Sequence, residues 1–267
     1  MDLKYTIVKE FSAGAFGEVY MGKNKFTDES VAIKREKKTN SAVKNEAKMY
    51  NYLNNTTFFP KLKDYMTNNT HNFLVLELLN YNLTSLKGRV TKAHISNIGA
   101  QMVNALEFLH NMGVVHRDIK PANFMMSNGK IKLLDFGFAK KIIHTKIVKG
   151  NNNNNKIHNP FKNIDSIIGT PNFISLNVHN LNEPSRRDDM ESMIYILLYL
   201  HMDLPWNNKP IGEIKQIKKT VTDNDGLDND DVGKLYKSLI KMCREMEFDE
   251  VPNYYIINTK VRIMKSV

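Results

Sequence analysis

Cysteine is almost absent from this 267-residue chain. The single thiol, Cys243, rules out an internal disulfide framework and fits a reducing compartment, so an intracellular setting, cytoplasmic or nuclear, is expected. Its neighbours Leu239-Ile240-Lys241-Met242 make it a small core residue rather than a reactive thiol. No apolar run approaches the roughly 20 residues that span a bilayer. The opening Met1-Asp2-Leu3-Lys4-Tyr5 lacks the apolar stretch of a secretory signal, so no membrane partner is expected. The 8 histidines fall at no metal-binding spacing. The net charge is +10, yet no block of about five or six like charges occurs. Nucleic-acid binding would need arginine or aromatic clusters on one face. Lysine predominates and is spread along the chain, so nucleic acid is not expected as the main partner.

Asparagine is abundant, and its excess fits an AT-rich coding bias as much as selection. The run from Asn151 to Asn155 is low-complexity and reads as a disordered loop tip. Residues 5–12 and 17–23 read as strands around a glycine turn, and 30–36 as a third strand carrying Val31 and Ile33. A helix is predicted to begin at a Ser41 cap, with Val43, Ala47, Tyr50 and Leu53 on one side. Two more strands are predicted at 61–66 and 72–78. From about residue 80 the period becomes helical. Ile95, Ile98, Met102, Ala105, Leu106 and Leu109 follow a Thr91 cap, 190–200 is apolar nearly all round, and helices are predicted at 232–246 and 252–264. The acidic stretch 223–231 reads as a loop. The fold class is therefore α+β: one domain, 1–267, with an antiparallel-sheet lobe over 1–79 and a mainly helical lobe over 80–267.

The chemistry concentrates in His116-Arg117-Asp118-Ile119-Lys120-Pro121-Ala122-Asn123 and Asp135-Phe136-Gly137. These groups meet the needs of phosphoryl transfer. Asp118 can accept the proton of an attacking hydroxyl or orient it, and Lys120 can neutralise charge on the moving phosphoryl group. Asn123 and Asp135 can hold Mg²⁺ through oxygen. His116 reads as a structural core histidine. Arg117 is open between a phosphate on the segment that follows, a carboxylate, and neither. Ahead of this, Gly14 and Gly17 in the turn Phe11-Ser12-Ala13-Gly14-Ala15-Phe16-Gly17 let backbone approach phosphates closely. On the third strand Lys34 shares a face with Ala32, and a lysine held on that face needs a partner. Glu46 on the following helix is the candidate, and the ion pair would place Lys34 on the α- and β-phosphates. By resemblance to the nucleotide pocket of protein kinases, Glu77-Leu78-Leu79 would hold an adenine edge by backbone groups, Leu76 would guard the rear, and Val19, Ala32 and Met125 would cover the ring faces.

In this order these motifs resemble the eukaryotic-type protein kinases over nearly the whole chain. The resemblance implies a two-lobed fold with ATP and Mg²⁺ bound between the lobes, Lys120 pointing to serine or threonine rather than tyrosine acceptors. A finer likeness rests on Phe173-Ile174-Ser175-Leu176-Asn177-Val178-His179, Ser185-Arg186-Arg187-Asp188-Asp189-Met190-Glu191-Ser192, Leu204-Pro205-Trp206 and Phe248-Asp249-Glu250-Val251-Pro252. That combination resembles the casein kinase 1 family. It implies protein substrates that are acidic or already phosphorylated, and activity without activation-loop phosphorylation. Asn172 stands where that family has an arginine, and Lys215, Lys218 and Lys219 on the helix after Trp206 could supply anion contacts instead. The runner-up readings are the vaccinia-related kinases and a pseudokinase scaffold, whose usual mark is loss of the lysine or the two aspartates. The sequence ends soon after the last predicted helix, so no regulatory tail is expected.

Overall fold

The computed structural model describes residues 4–14, 17–54, 56–146, 155–223, 227 and 230–266. The chain forms two compact units, Met1–Tyr81 with Met125–Gly137, and Asn82–Phe124 with Phe138–Val267. In the first unit β1 (Tyr5–Gly14), β2 (Gly17–Asn24), β3 (Ser30–Lys37), β4 (Leu62–Thr67) and β5 (His71–Glu77) form one antiparallel sheet in the order β1-β2-β3-β5-β4. Alternation along β3 sorts its side chains. Val31 and Ile33 join Tyr5, Tyr20, Phe73 and Val75 in a core on one face. Ala32 and Lys34 point the other way and stay half-buried.

The helix α1 (Ala42–Tyr52) buries Val43, Ala47 and Tyr50, and Leu53 behind it, as the helical period predicts. Its cap differs from expectation. Ser41 holds the N-cap position, but its side chain makes no capping bond. The buried carboxylate of Glu36 accepts the Val43 N–H instead, at 2.7 Å. A charge placed there from β3 satisfies an orphan donor and complements the helix dipole, which a hydroxyl does more weakly.

The second unit is built on α2 (Lys92–Asn111), α3 (Leu176–His179), α4 (Arg186–His201), α5 (Ile211–Thr220), α6 (Asp231–Glu245) and α7 (Tyr254–Ile263). Thr91 caps α2 as expected, its hydroxyl accepting the His94 N–H at 3.3 Å. All six periodic apolar residues of α2 are buried. Helix α4 is buried on nearly every side, and α2 and α6 pack on it. At roughly 1.5–3 kcal/mol for each fully buried aliphatic side chain, this helix contributes a large share of the unit's cohesion. Cys243 lies in the same core, and burial pushes its thiol well up, which fits the packing role.

Two short strands, Ile143–Lys146 and Asn155–His158, pair antiparallel, so Asn155 sits in a ladder rather than at a loop tip. Asn151 to Asn154 lie outside the described residues. In the acidic stretch 223–231, Asp230 caps α6 by accepting the Gly233 N–H at 2.8 Å, and residues 224–226, 228 and 229 lie outside the described residues. Among the described residues no helix is long and apolar enough to cross a membrane.

Candidate active site

In the first unit three of the expected residues meet. The Lys34 ammonium lies 2.7 Å from Glu46 Oε2 and 3.1 Å from Asp135 Oδ1. The strand supplies Lys34 on the face opposite the apolar core, and α1 supplies Glu46 beside buried Ala47. Asp135 is held from behind: its N–H donates to the buried Tyr50 hydroxyl at 3.3 Å, and the Phe136 ring packs edge-on against Tyr50 and Phe59. Asp135 adopts φ +67, a left-handed conformation that costs a non-glycine residue about 1–3 kcal/mol and tends to mark functional sites. Burial opposes the charge on Lys34, but the two carboxylates outweigh it and raise its pKa. Burial pushes the Glu46 carboxyl up, and the Lys34 contact works against that shift. A fully buried carboxylate depends on its one close cation.

Other expected nucleotide contacts share this unit. Val19 pairs with Lys34 across the sheet, and Ala32 pairs with Met21 and Leu76, so these residues line one half-buried face. At the tip of the hairpin Ser12 pairs with Val19, Ala13 with Glu18, and Gly14 with Gly17. Phe11 and Ser12 are exposed. Ala15 and Phe16 lie outside the described residues. Gly17 has φ +103, and a Cβ there would stand 2.2 Å from the Arg35 carbonyl oxygen. Glycine is therefore required at this point by the neighbouring strand. Leu79 is buried and Met125 half-buried. The Glu77 side chain is committed to the Lys132 ammonium at 2.7 Å and the Lys61 N–H at 3.1 Å. Only backbone groups of this segment remain for an adenine edge.

In the second unit Asp118, Lys120 and Asn123 come together. The Asp118 carboxylate, 4% exposed, accepts from the Lys120 ammonium at 2.6 Å and from Asn123 Nδ2 at 3.3 Å, both on Oδ2. The Thr170 hydroxyl donates to Oδ1 at 2.9 Å. Three donors thus fix the orientation of one acid. Asn123 Nδ2 also donates to the Asp118 carbonyl at 2.9 Å, which commits the amide nitrogen and leaves Oδ1, the atom a hard cation takes. In the first unit the Asp135 carboxylate is a ligand of the same hard-oxygen class.

The loop that carries Asp118 is anchored from α4. Asp189 accepts the N–H of His116 at 2.7 Å and of Arg117 at 3.0 Å, and pairs with His110 Nε2 at 3.0 Å. Burial opposes its ionisation, but His110 and the backbone donor outweigh that and hold the carboxyl below its ordinary value. Arg117 adopts φ +69, which this grip on two successive N–H groups sustains. Its guanidinium donates to the Phe138 carbonyl at 2.6 Å and to Glu183 Oε1 at 3.3 Å, so the carboxylate alternative holds. His116 is fully buried, the structural residue expected of it. Behind the loop Gly169, φ +99, approaches so closely that a Cβ would lie 2.8 Å from the Arg117 carbonyl oxygen.

Lys218 departs from expectation. It is fully buried and makes no anion contact among the described residues; its ammonium donates to the carbonyls of Pro171 at 2.9 Å and Ile174 at 2.7 Å. Lys215 is half-buried and Lys219 exposed. Sequence reasoning also assigned no role to Thr170, Glu183 or Asp189. A signal for Lys218 existed: it falls four residues after Ile214 and three before Val221, both buried, on the inner face of α5.

His179 lies 3.4 Å from the Lys218 ammonium. Burial first, and that ammonium and Lys215 next, press its pKa down to about 4. A histidine held neutral in the fold contributes stability that is complete above the unfolded pKa of roughly 6.5 and is lost as pH falls towards the folded value. The stability gap between the wild type and His179→Gln should therefore widen by about 3 kcal/mol from pH 4 to 7, read by urea unfolding. A gap that does not change with pH would refute the shift.

The protein kinase domain family model matches residues 5–251. The chain belongs to the protein kinase family. Membership implies a phosphotransferase that uses ATP and a divalent cation on protein substrates.

Proposed function

We propose that the protein is a serine/threonine kinase of the casein kinase 1 type, using Mg²⁺ and ATP to phosphorylate acidic protein substrates. The observation that carries the acceptor class is the Lys120 ammonium, two residues beyond Asp118 and 2.6 Å from its carboxylate. It sets a cation beside the acid that would take or orient the hydroxyl proton. Lys34, held by Glu46, would steady the α- and β-phosphates, and Asn123 and Asp135 would hold Mg²⁺. The turn of Phe11, Ser12, Ala13, Gly14, Ala15, Phe16 and Gly17 would cover the phosphates. Val19, Ala32, Met125 and the backbone at Glu77 and Leu79 would take the base.

The subgroup is supported by two of the stretches that carry the resemblance, because they bind each other. Arg186 donates to the Glu250 carbonyl at 3.1 Å and also to that of Asp249, and Arg187 donates to the Met246 carbonyl. With Asn172 uncharged and Lys218 buried, recognition of an already phosphorylated residue falls to Lys215 and Lys219.

The test is purified protein with labelled ATP, Mg²⁺ and casein, followed by phosphoamino-acid analysis. Phosphoserine or phosphothreonine is expected, and phosphotyrosine or no transfer would overturn the reading. Matched phosphorylated and unphosphorylated peptides settle priming, since equal turnover would remove it.

A further inference from the structure

Lys218 is an unusual buried cation. No carboxylate lies within ion-pair distance of it among the described residues. Its three N–H donors meet three acceptors: the carbonyls of Pro171 and Ile174, and His179 Nε2. The ammonium also lies 4.6 Å from the centre of the Tyr195 ring and 5.0 Å from that of Trp206. Burial depresses its pKa well below the ordinary value, with Glu191 opposing and Arg244 adding to the shift. A core position that keeps so costly a group keeps it for the contacts it makes.

Those contacts converge on one turn. Trp206 Nε1 donates to the Asn172 carbonyl at 2.8 Å, between the two carbonyls that Lys218 takes. Within the turn the N–H groups of Phe173 and Ile174 donate to the Thr170 carbonyl at 2.8 and 3.0 Å. Thr170 in turn donates to Asp118. We propose that Lys218 is a positioning residue for phosphoryl transfer, clamping the 170–174 turn so that Thr170 holds the Asp118 carboxylate in its working orientation. This rests on the kinase reading of Asp118. The clamp acts on the acceptor side, so the nucleotide side should not feel its loss.

Lys218→Met keeps the length and removes all three donors. It should lower kcat on casein about tenfold or more, as misplacement of a catalytic group does, with KM for ATP within about twofold. Thr170→Val should lower kcat as well, and the double variant should lose no more than Thr170→Val alone. Losses that multiply would overturn the proposal, because Lys218 would then act independently of Thr170. Trp206→Phe removes the Asn172 bond and shrinks the ring beside Lys218, but leaves the three Lys218 donors in place, so it should give a smaller fall that is also absorbed by Thr170→Val. If Lys218→Met fails to fold, an unchanged kcat in Trp206→Phe overturns the proposal. Hydrogen exchange at the Phe173 and Ile174 amides gives a readout without turnover. Faster exchange in Lys218→Met, or in Trp206→Phe where only that variant folds, supports the clamp even if the wild type transfers no phosphate, an outcome that sinks only the kinase reading. Unchanged exchange overturns the clamp.

Discussion

Replacing Asp118 by asparagine is expected to cut phosphate transfer to casein by a factor of about 10³, while ATP binds within a few-fold of the wild type. The substitution keeps the shape and one acceptor oxygen but removes the charge that would take or orient the hydroxyl proton. The partners of Asp118 make the loss specific. Thr170 and Lys120 hold opposite oxygens at 2.9 and 2.6 Å, so the side chain has little freedom to find a second pose. Asparagine would keep the Thr170 contact on its oxygen and would turn its NH₂ towards Lys120, whose ammonium would lose its anion. Single-turnover transfer of labelled phosphate, with ATP affinity measured by calorimetry, separates the two effects. Transfer within about tenfold of the wild type would refute the role given to Asp118, because general-base contributions are larger than that.

Residues whose function depends on near neighbours or on periodicity were legible in the sequence. The Lys34–Glu46 pair follows from a strand lysine placed on the same face as Ala32, with an acid one turn along the next helix. The inner faces of α1, α2 and α4 follow from the spacing of their apolar residues. What escaped the sequence depends on contacts between residues far apart in the chain, most of them made to backbone groups. Asp189 grips N–H groups 73 and 72 residues earlier in the chain. Thr170 meets Asp118 across 52 residues, and Lys218 reaches carbonyls 47 and 44 residues away. Backbone groups carry no residue signature, so nothing at the receiving end announces such a contact. Ser41 fails as a cap for the same reason: Glu36, projecting from β3, reaches the Val43 N–H first. Lys218 was hidden by its neighbours, because Lys215 and Lys219 make the stretch look solvated although the period of α5 turns Lys218 inward.

Lys34→Met should abolish transfer and destabilise the first unit, and the second effect has a predictable pH dependence. The variant leaves Glu46, 1% exposed, without a cation. A buried carboxylate in that state either stays charged at a cost of roughly 3–5 kcal/mol or takes up a proton. Protonating it at pH 7, from an unfolded pKa of roughly 4.3, costs about 3.7 kcal/mol, which sets the ceiling on the penalty. In the variant the folded pKa of Glu46 lies above the unfolded one, so the folded state binds the extra proton and stability falls as pH rises. The gap to the wild type should therefore be largest near pH 7 and shrink towards pH 5 by at most about 1.4 kcal/mol per unit, less where the wild-type Glu46, itself raised by burial, also takes up a proton. Adding Glu46→Gln removes the orphaned charge and should restore most of the stability at pH 7. It cannot restore the cation, so transfer should stay at least about 10² below the wild type. Urea unfolding across pH and phosphate transfer, measured on the same three proteins, read the two effects separately. A double variant that recovers activity along with stability would show that Lys34 serves packing alone.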